Sequence, residues 1–394
     1  MIEYEYIIPF AIALIVSFFA TPIAKKIAVS FNAIDVPKDD RRMHKRPVAL
    51  MGGLAIITGF IVSILYAFFV YQPDILKSWL VEFPTAKIVG VLVSAIIIIV
   101  MGAIDDVRPL TAKVKFPIQL IAAAIVVFTG TKIKYITISI KDIKYISIED
   151  TISIVLSILW IVGITNAINL IDGLDGLAAG VAAIASLSLF VVSVMMAPDV
   201  HVVFAVLYVA LAGSIMGFLP YNFNPAKIFI GSTGAYFLGF ILAVISIEGA
   251  TKAYTALTMV VSLVALAFPI FDTLFAIVRR VLNKKPIGEG DRGHIHHRLV
   301  DMGISQKYSV TILYVVSAAL GIVSILLANK GLLPAIILVV IISVFVVGGA
   351  RYLSGIVGNK QNTPVSENTL EDESDKGRTH EKTATYPRGQ TEKP

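Results

Sequence analysis

The sequence predicts an all-α polytopic membrane protein of about eleven transmembrane helices, with the N-terminus outside, the C-terminus cytoplasmic and a small extracytoplasmic β-hairpin near residues 132–150. Three observations predict it. The 394 residues are 57% hydrophobic and only 15% charged, against roughly 25% charge in an average soluble domain, which excludes a water-soluble core with a solvated shell. Apolar runs of around 20 residues, enough to cross a hydrocarbon layer about 30 Å thick as helix, recur along the chain. The polar segments that carry chemistry fall in alternate loops between those runs, as one-sided function demands.

The spans lie near 6–24, 50–70, 87–104, 116–130, 152–169, 177–197, 201–220, 234–249, 256–279, 310–328 and 331–350. The first follows Glu3 and Glu5 and ends without a small-residue cleavage pattern, so it reads as a retained helix with its start outside. Loops 25–49, 105–115, 170–176, 221–233 and 280–309 then face the cytoplasm. They hold more than twice the Lys and Arg of the opposite loops, as the positive-inside rule requires. Between 132 and 150, Ile136, Ile138 and Ile140 alternate with polar residues and Lys141-Asp142 separates two runs, which is a hairpin pattern. Residues 1–355 thus form the transmembrane domain. Residues 356–394, rich in Glu, Thr, Lys, Pro and Ser, read as a disordered polar cytoplasmic tail. The chain has no cysteine, which excludes disulfides and thiolate chemistry. No internal repeat is evident, which weakens a transporter reading.

Four clusters carry the chemistry. Asp105 and Asp106 close the third run; a carboxylate at mid-membrane costs about 2.5–3.5 kcal/mol, and adjacent acids repel unless a cation or proton is shared. A solvated helix end is the plain alternative, but Lys113 and Lys115 nearby suit a magnesium ion with phosphates. In the stretch from Asn166 to Gly176, helical steps of three place Asn166, Asn169 and Asp172 within an arc of roughly 120°. Gly173 and Gly176 allow the backbone to break and bring Asp175 round, whereas helix capping accounts for one acid only. In Tyr221–Gly234, Asn222, Asn224 and Lys227 offer donors and Phe229 a ring, while Gly231 and Gly234 permit close approach at a helix start suited to an anion. Taken alone, that stretch is better explained as an ordinary loop with a Ser232 or Thr233 cap. Finally, three of the six histidines, His294, His296 and His297, fall within four positions. The flanking Arg292 and Arg298 and the lack of cysteine oppose zinc, and favour a phosphate or diphosphate.

These clusters, in this order and with Met51-Gly52-Gly53-Leu54, resemble the polyprenyl-phosphate N-acetylhexosamine-1-phosphate transferase family of glycosyltransferase 4 type. The likeness covers roughly residues 10–350 and is strongest to the undecaprenyl-phosphate GlcNAc-1-phosphate transferases that begin teichoic acid and other surface polysaccharides. It implies an enzyme that moves GlcNAc 1-phosphate from the UDP-sugar to undecaprenyl phosphate, giving the lipid diphosphate sugar and UMP. It also implies Mg2+, with Mn2+ as a substitute, a multi-pass plasma-membrane protein with a cytoplasmic site, membrane lipid as a partner, no nucleic acid, and a homodimer as a compatible state. On this resemblance Asp105 and Asp106 deprotonate or position the acceptor phosphate, with Asp105 the expected base. Asn166 lies near the metal, and Asp172 and Asp175 order the site. Asn169, Asn222, Phe229 and Gly231 meet the donor, with Phe229 stacking on uracil. His294, His296, His297 and Arg298 hold its diphosphate or sugar, and His44, Lys45, Lys113 and Lys115 are further phosphate partners. One departure stands out: Ser232 occupies the position of the family's metal-ligating Asp, and a neutral hydroxyl is a poor ligand for a hard dication. An impaired family member, and a transporter, are the competing readings.

Overall fold

The computed structural model describes residues 4–37, 46–71, 84–136, 146–147, 149–196, 198–252, 257–284 and 293–330. Within them the helices are α1 (Tyr4–Ser30), α2 (Gly53–Tyr66, continued by a π-helical turn Ala67–Tyr71), α3 (Thr85–Val107), α4 (Ala112–Phe128), α5 (Asp150–Leu170), α6 (Leu177–Met196), α7 (Pro198–Asn222), α8 (Gly231–Lys252), α9 (Leu257–Ala265), α10 (Ala267–Leu282), α11 (Ile295–Asp301) and α12 (Gln306–Lys330). Eight of them are long and apolar enough to cross a membrane, and nine spans result if the bent pair α9–α10 is one. The expected eleventh span, 331–350, and the tail lie outside the described residues, as do His44 and Lys45. The fourth expected span is α4, whose 17 residues reach only about 26 Å. The eighth, expected over 234–249, extends further as the 22-residue α8.

The ninth expected span is not one helix. It breaks at Leu266, with α9 and α10 meeting at 76°. Pro269 in the first turn of α10 has no N–H to offer the Ala265 carbonyl, so the chain cannot continue the ladder and turns.

The bundle is arranged around α8. Nearly all of its spanning window, 94%, is buried inside the protein, against 28% for α1 and α3. Helices α3 and α5 flank it, with α2, α6, α7 and α9 completing its surroundings. Phe60 of α2 meets Phe237 of α8 edge to face at 5.8 Å. Exposed apolar side chains such as Phe19, Leu92 and Ile96 cover the peripheral helices, which is the surface a helix presents to lipid.

Helices α3 and α8 are clipped at both ends by polar pairs. At one end Lys87 donates to both oxygens of Glu248, at 2.9 and 3.1 Å. At the other, Asp105 and Asp106 hold Ser232 and Thr233. Nineteen helical residues separate Lys87 from Asp106, about 28 Å, which matches the hydrocarbon thickness.

Two small ribbons complete the fold. β3 (Tyr135–Ile136) and β4 (Ile146–Ser147) pair antiparallel, Tyr135 opposite Ser147, where the sequence predicts the hairpin. β1 (Ile34–Asp35) and β2 (Val48–Ala49) form a second antiparallel pair within the loop after α1.

Candidate active site

The glycines decide how closely the elements converge. Gly53, at the start of α2, touches Gly234 backbone to backbone; a Cβ there would lie 2.1 Å from the Gly234 Cα. Segment 228–230 runs beside 49–53, with Phe229 N–H donating to Ala49 O and Gly52 and Gly53 N–H donating to Phe229 O and Ile230 O. Gly231 then takes φ +71°, and a Cβ there would sit 2.5 Å from Asp106 Oδ2. Both the left-handed backbone and the close approach require glycine.

That approach places the acid pair against the N-terminus of α8. Asp106 Oδ1 accepts from Ser232 N–H at 2.7 Å, and Oδ2 accepts from Thr233 N–H at 3.1 Å and the Thr233 hydroxyl at 2.6 Å. Asp105 Oδ1 accepts from Leu110 N–H at 2.7 Å; its Oδ2 accepts from the Ser232 hydroxyl at 2.6 Å and Lys115 Nζ at 3.2 Å. Both carboxylates are buried, 8% and 6% exposed. The helix start suited to an anion is already occupied by the chain's own Asp106, which uses the same orphan N–H groups and dipole.

The Asn166–Gly176 stretch departs from the single helical face. α5 ends at Leu170, and Asp172 lies in the turn beyond it, its N–H bonded to Asn169 O at 3.2 Å. Asn166 stays on the helix, where its Nδ2 donates to Gln119 Oε1 at 2.6 Å and Val162 O at 2.8 Å. Both N–H groups are thereby used, which leaves its oxygen for other partners. Asn169 is half-buried on the same helix. Asp175 turns away to the neighbouring loop, accepting from Asn224 Nδ2 and Ala226 N–H at 2.9 and 3.0 Å. It braces that loop rather than joining the pair. Tyr314 of α12 closes the turn by donating to Gly176 O at 2.5 Å.

Asp172 is half-buried and surrounded by protein. That burial, with the charges of Asp106 and Asp175, pushes its carboxyl up to about 8. Among the described residues no side chain hydrogen-bonds it. Next to it, Gly173 makes room for His296: a Cβ would meet His296 Nε2 at 2.3 Å. His296 is 1% exposed and neither ring nitrogen has a hydrogen-bond partner. Burial and the neighbouring His297 hold its pKa down to about 3, so the ring is neutral and offers one N–H and one lone pair, not a charge.

His294 stacks on His296 at 5.6 Å, and its Nδ1 bonds Asp272 Oδ2 at 2.8 Å while Asp272 Oδ1 accepts from Ile295 N–H. Asp272, on α10, thus orients the tract. His297 is half-buried and Arg298 exposed. Asn222, expected to meet the nucleoside, is 3% exposed and donates to Ile228 O, so it shapes its own loop. Phe229 is half-buried beside it, and Lys113 is exposed away from the acids. Reasoning from sequence missed Gln119 and Asp272. Asp272 had a signal, being an acid inside an apolar run.

A magnesium ion resident on the protein fits these side chains poorly. Among the described residues no group of three His, Cys, Asp or Glu side chains is placed to hold a metal. Ser232 donates its hydroxyl proton to Asp105 and has only the lone pairs of a neutral oxygen left to offer a hard dication.

The sequence matches the profile of glycosyl transferase family 4 over residues 88–250. It is 38% identical, over 90% of its length and 93% of the relative's, to the probable undecaprenyl-phosphate N-acetylglucosaminyl 1-phosphate transferase of Bacillus subtilis (strain 168). It is 34% identical to the decaprenyl-phosphate N-acetylglucosaminephosphotransferase of Mycolicibacterium smegmatis (strain ATCC 700084 / mc(2)155), over 77% of each chain. The same name and identity recur for a relative in Mycobacterium leprae (strain TN). With similarity over nine-tenths of its length, the chain belongs to glycosyl transferase family 4.

Proposed function

We propose that the protein transfers N-acetylglucosamine 1-phosphate from UDP-GlcNAc to undecaprenyl phosphate, releasing UMP, on the cytoplasmic face of the plasma membrane. The observation that carries this reading is the placement of the polar cleft. Asp105, Asp106, Asp172 and Lys115 gather at one end of a bundle whose other polar clip is about 28 Å away, so the site opens where a membrane-borne acceptor and a soluble donor meet. An oxygen of the acceptor phosphate attacks the sugar-bearing phosphorus, the P–O–P bond breaks, and UMP leaves. Lys115, held by Asp105, sits where the acceptor's phosphate charge needs a partner, and Asp105 positions that phosphate. His296 and the Asp272-oriented His294 face the donor's diphosphate from the other side of Gly173.

An apolar cavity of about 460 Å³, lined by Leu156, Trp160, Gly163, Met259, Leu263 and Ile270, runs along α5 and the α9–α10 bend. It supplies a lipid-like wall for the proximal isoprene units.

Purified protein with UDP-GlcNAc, undecaprenyl phosphate and Mg2+ or Mn2+ is expected to release UMP and form a lipid-linked sugar. Absence of UMP with either metal ends the reading, and a preference for another UDP-N-acetylhexosamine moves the donor assignment. The sidedness has its own test, because the chain is free of cysteine. A Thr111→Cys variant is expected to resist an impermeant maleimide added outside intact cells, while Glu149→Cys reacts; the reverse pattern inverts the topology.

A further inference from the structure

We infer that Ser232 makes divalent-cation binding conditional on the nucleotide: the cation arrives held by the donor's diphosphate and meets Asp172, not the Asp105-Asp106 pair. This rests on the proposed donor being a UDP-sugar. Six donors converge on the four oxygens of the pair, namely Leu110 N–H, Lys115 Nζ, the Ser232 hydroxyl, Ser232 N–H, Thr233 N–H and the Thr233 hydroxyl. Each Oδ2 already takes two of them, and one of these, Lys115, is itself a cation. A dication entering there displaces donors and faces an ammonium. The groups in want of a partner lie at Gly173, on either side of it. Asp172 carries no side-chain hydrogen bond among the described residues, and His296, buried against Gly173, has both ring nitrogens unpartnered. One carboxylate is too little for a resident magnesium, but Mg2+ keeps several waters and commonly combines one or two carboxylates with substrate phosphates. A diphosphate supplies the missing oxygens, Asp172 supplies the carboxylate, and the His296 N–H donates to a phosphate oxygen. A carboxylate at position 232 would add the second fixed ligand and remove the nucleotide requirement.

The test is Mn2+ binding by electron paramagnetic resonance on the purified full-length protein, alone and with UDP-GlcNAc, for the wild type, Ser232→Asp and Ser232→Asn. The wild type is expected to bind Mn2+ at least tenfold more tightly with UDP-GlcNAc, beyond what the nucleotide binds in buffer. Ser232→Asp is expected to bind it without nucleotide, and Ser232→Asn, of similar size but neutral, to behave as the wild type. Wild-type binding without nucleotide as tight as that of Ser232→Asp overturns the inference, as does a gain by Ser232→Asn. The wild-type arms need no variant, so a misfolded Ser232→Asp leaves the test intact. If UDP-GlcNAc does not strengthen Mn2+ binding while UMP release persists, the inference falls and the transferase reading stands. If UMP release is also absent, both fall.

Discussion

Neighbouring carboxylates should lose stability unequally on the same substitution. Asp106 accepts three hydrogen bonds from the first turn of α8, two of them from backbone N–H groups. In Asp106→Asn, whichever way the carboxamide lies, one of those N–H groups faces an NH2. The Thr233 hydroxyl can rotate to accept, but a backbone N–H cannot. A buried N–H stripped of its acceptor costs about 1–3 kcal/mol, and losing the negative charge at a helix N-terminus adds about 0.3–1 kcal/mol. The total is about 1.3–4 kcal/mol.

Asp105→Asn keeps the acceptor for Leu110 N–H, and the Ser232 hydroxyl can turn to accept from the new amide. What it loses is the charge beside Lys115, which is 23% exposed and retains water; such a partly exposed pair is worth about 1 kcal/mol or less. The assay is thermal unfolding in detergent, beside UMP release. Asp106→Asn is expected to melt several degrees below the wild type and Asp105→Asn close to it, with turnover falling on the order of 100-fold in both. If Asp106→Asn melts with the wild type, the carboxylate latch on α8 is wrong, whatever happens to activity.

Gly173→Ala is expected to push the His296 ring off the Asp172 turn, since the added Cβ lies 2.3 Å from Nε2. It should raise the KM for the UDP-sugar about tenfold, roughly 1.4 kcal/mol, with the KM for the lipid phosphate unchanged; equal effects on both substrates would point to general damage. His296, held at about 3 in the fold against about 6.5 in the unfolded chain, binds fewer protons folded than unfolded. Its contribution is therefore complete above about 6.5 and is lost as pH falls toward 3, so melting should decline on acidification from pH 6.5 and less so in His296→Phe. An identical pH slope in both proteins would assign the loss elsewhere. Lys87→Met leaves Glu248, 8% exposed, without its counter-charge and should cost about 3–5 kcal/mol while sparing both KM values. The double variant with Glu248→Met should recover most of it, and a failure to recover would mean the pair does more than neutralise itself.

What was legible in the sequence follows from what is local. Apolar runs fix the spans because each helix satisfies its own backbone in lipid, and the acids were legible because their cost there is high. The break at Leu266 was also present in the sequence, as Pro269 within an apolar run, but the length of the run concealed it. Asp272 was passed over although the same cost argument applies to it as to Asp105. By contrast, the latch between Asp106 and Thr233 joins residues 127 apart, and no spacing argument could supply it. Gln119 and Asn166, 47 residues apart, are hidden for the same reason.

The start of α8 is the informative case. A glycine-flanked helix N-terminus in a phosphate-handling protein invites a phosphate, because its N–H groups are orphaned in the sequence. In the fold they are not orphaned: α3 delivers Asp106 to them, and Gly102 permits this because a Cβ there would lie 2.6 Å from Thr233 Cα. Fixing an acid at that end satisfies the helix's orphan N–H groups inside the bundle without any metal. Its neighbour Asp105 is then set beside Lys115 and Ser232 at the cleft. On the proposed reading, anion recognition falls to the remaining cations and to the histidine tract, whose neutral His296 can donate to a phosphate oxygen without adding a buried charge.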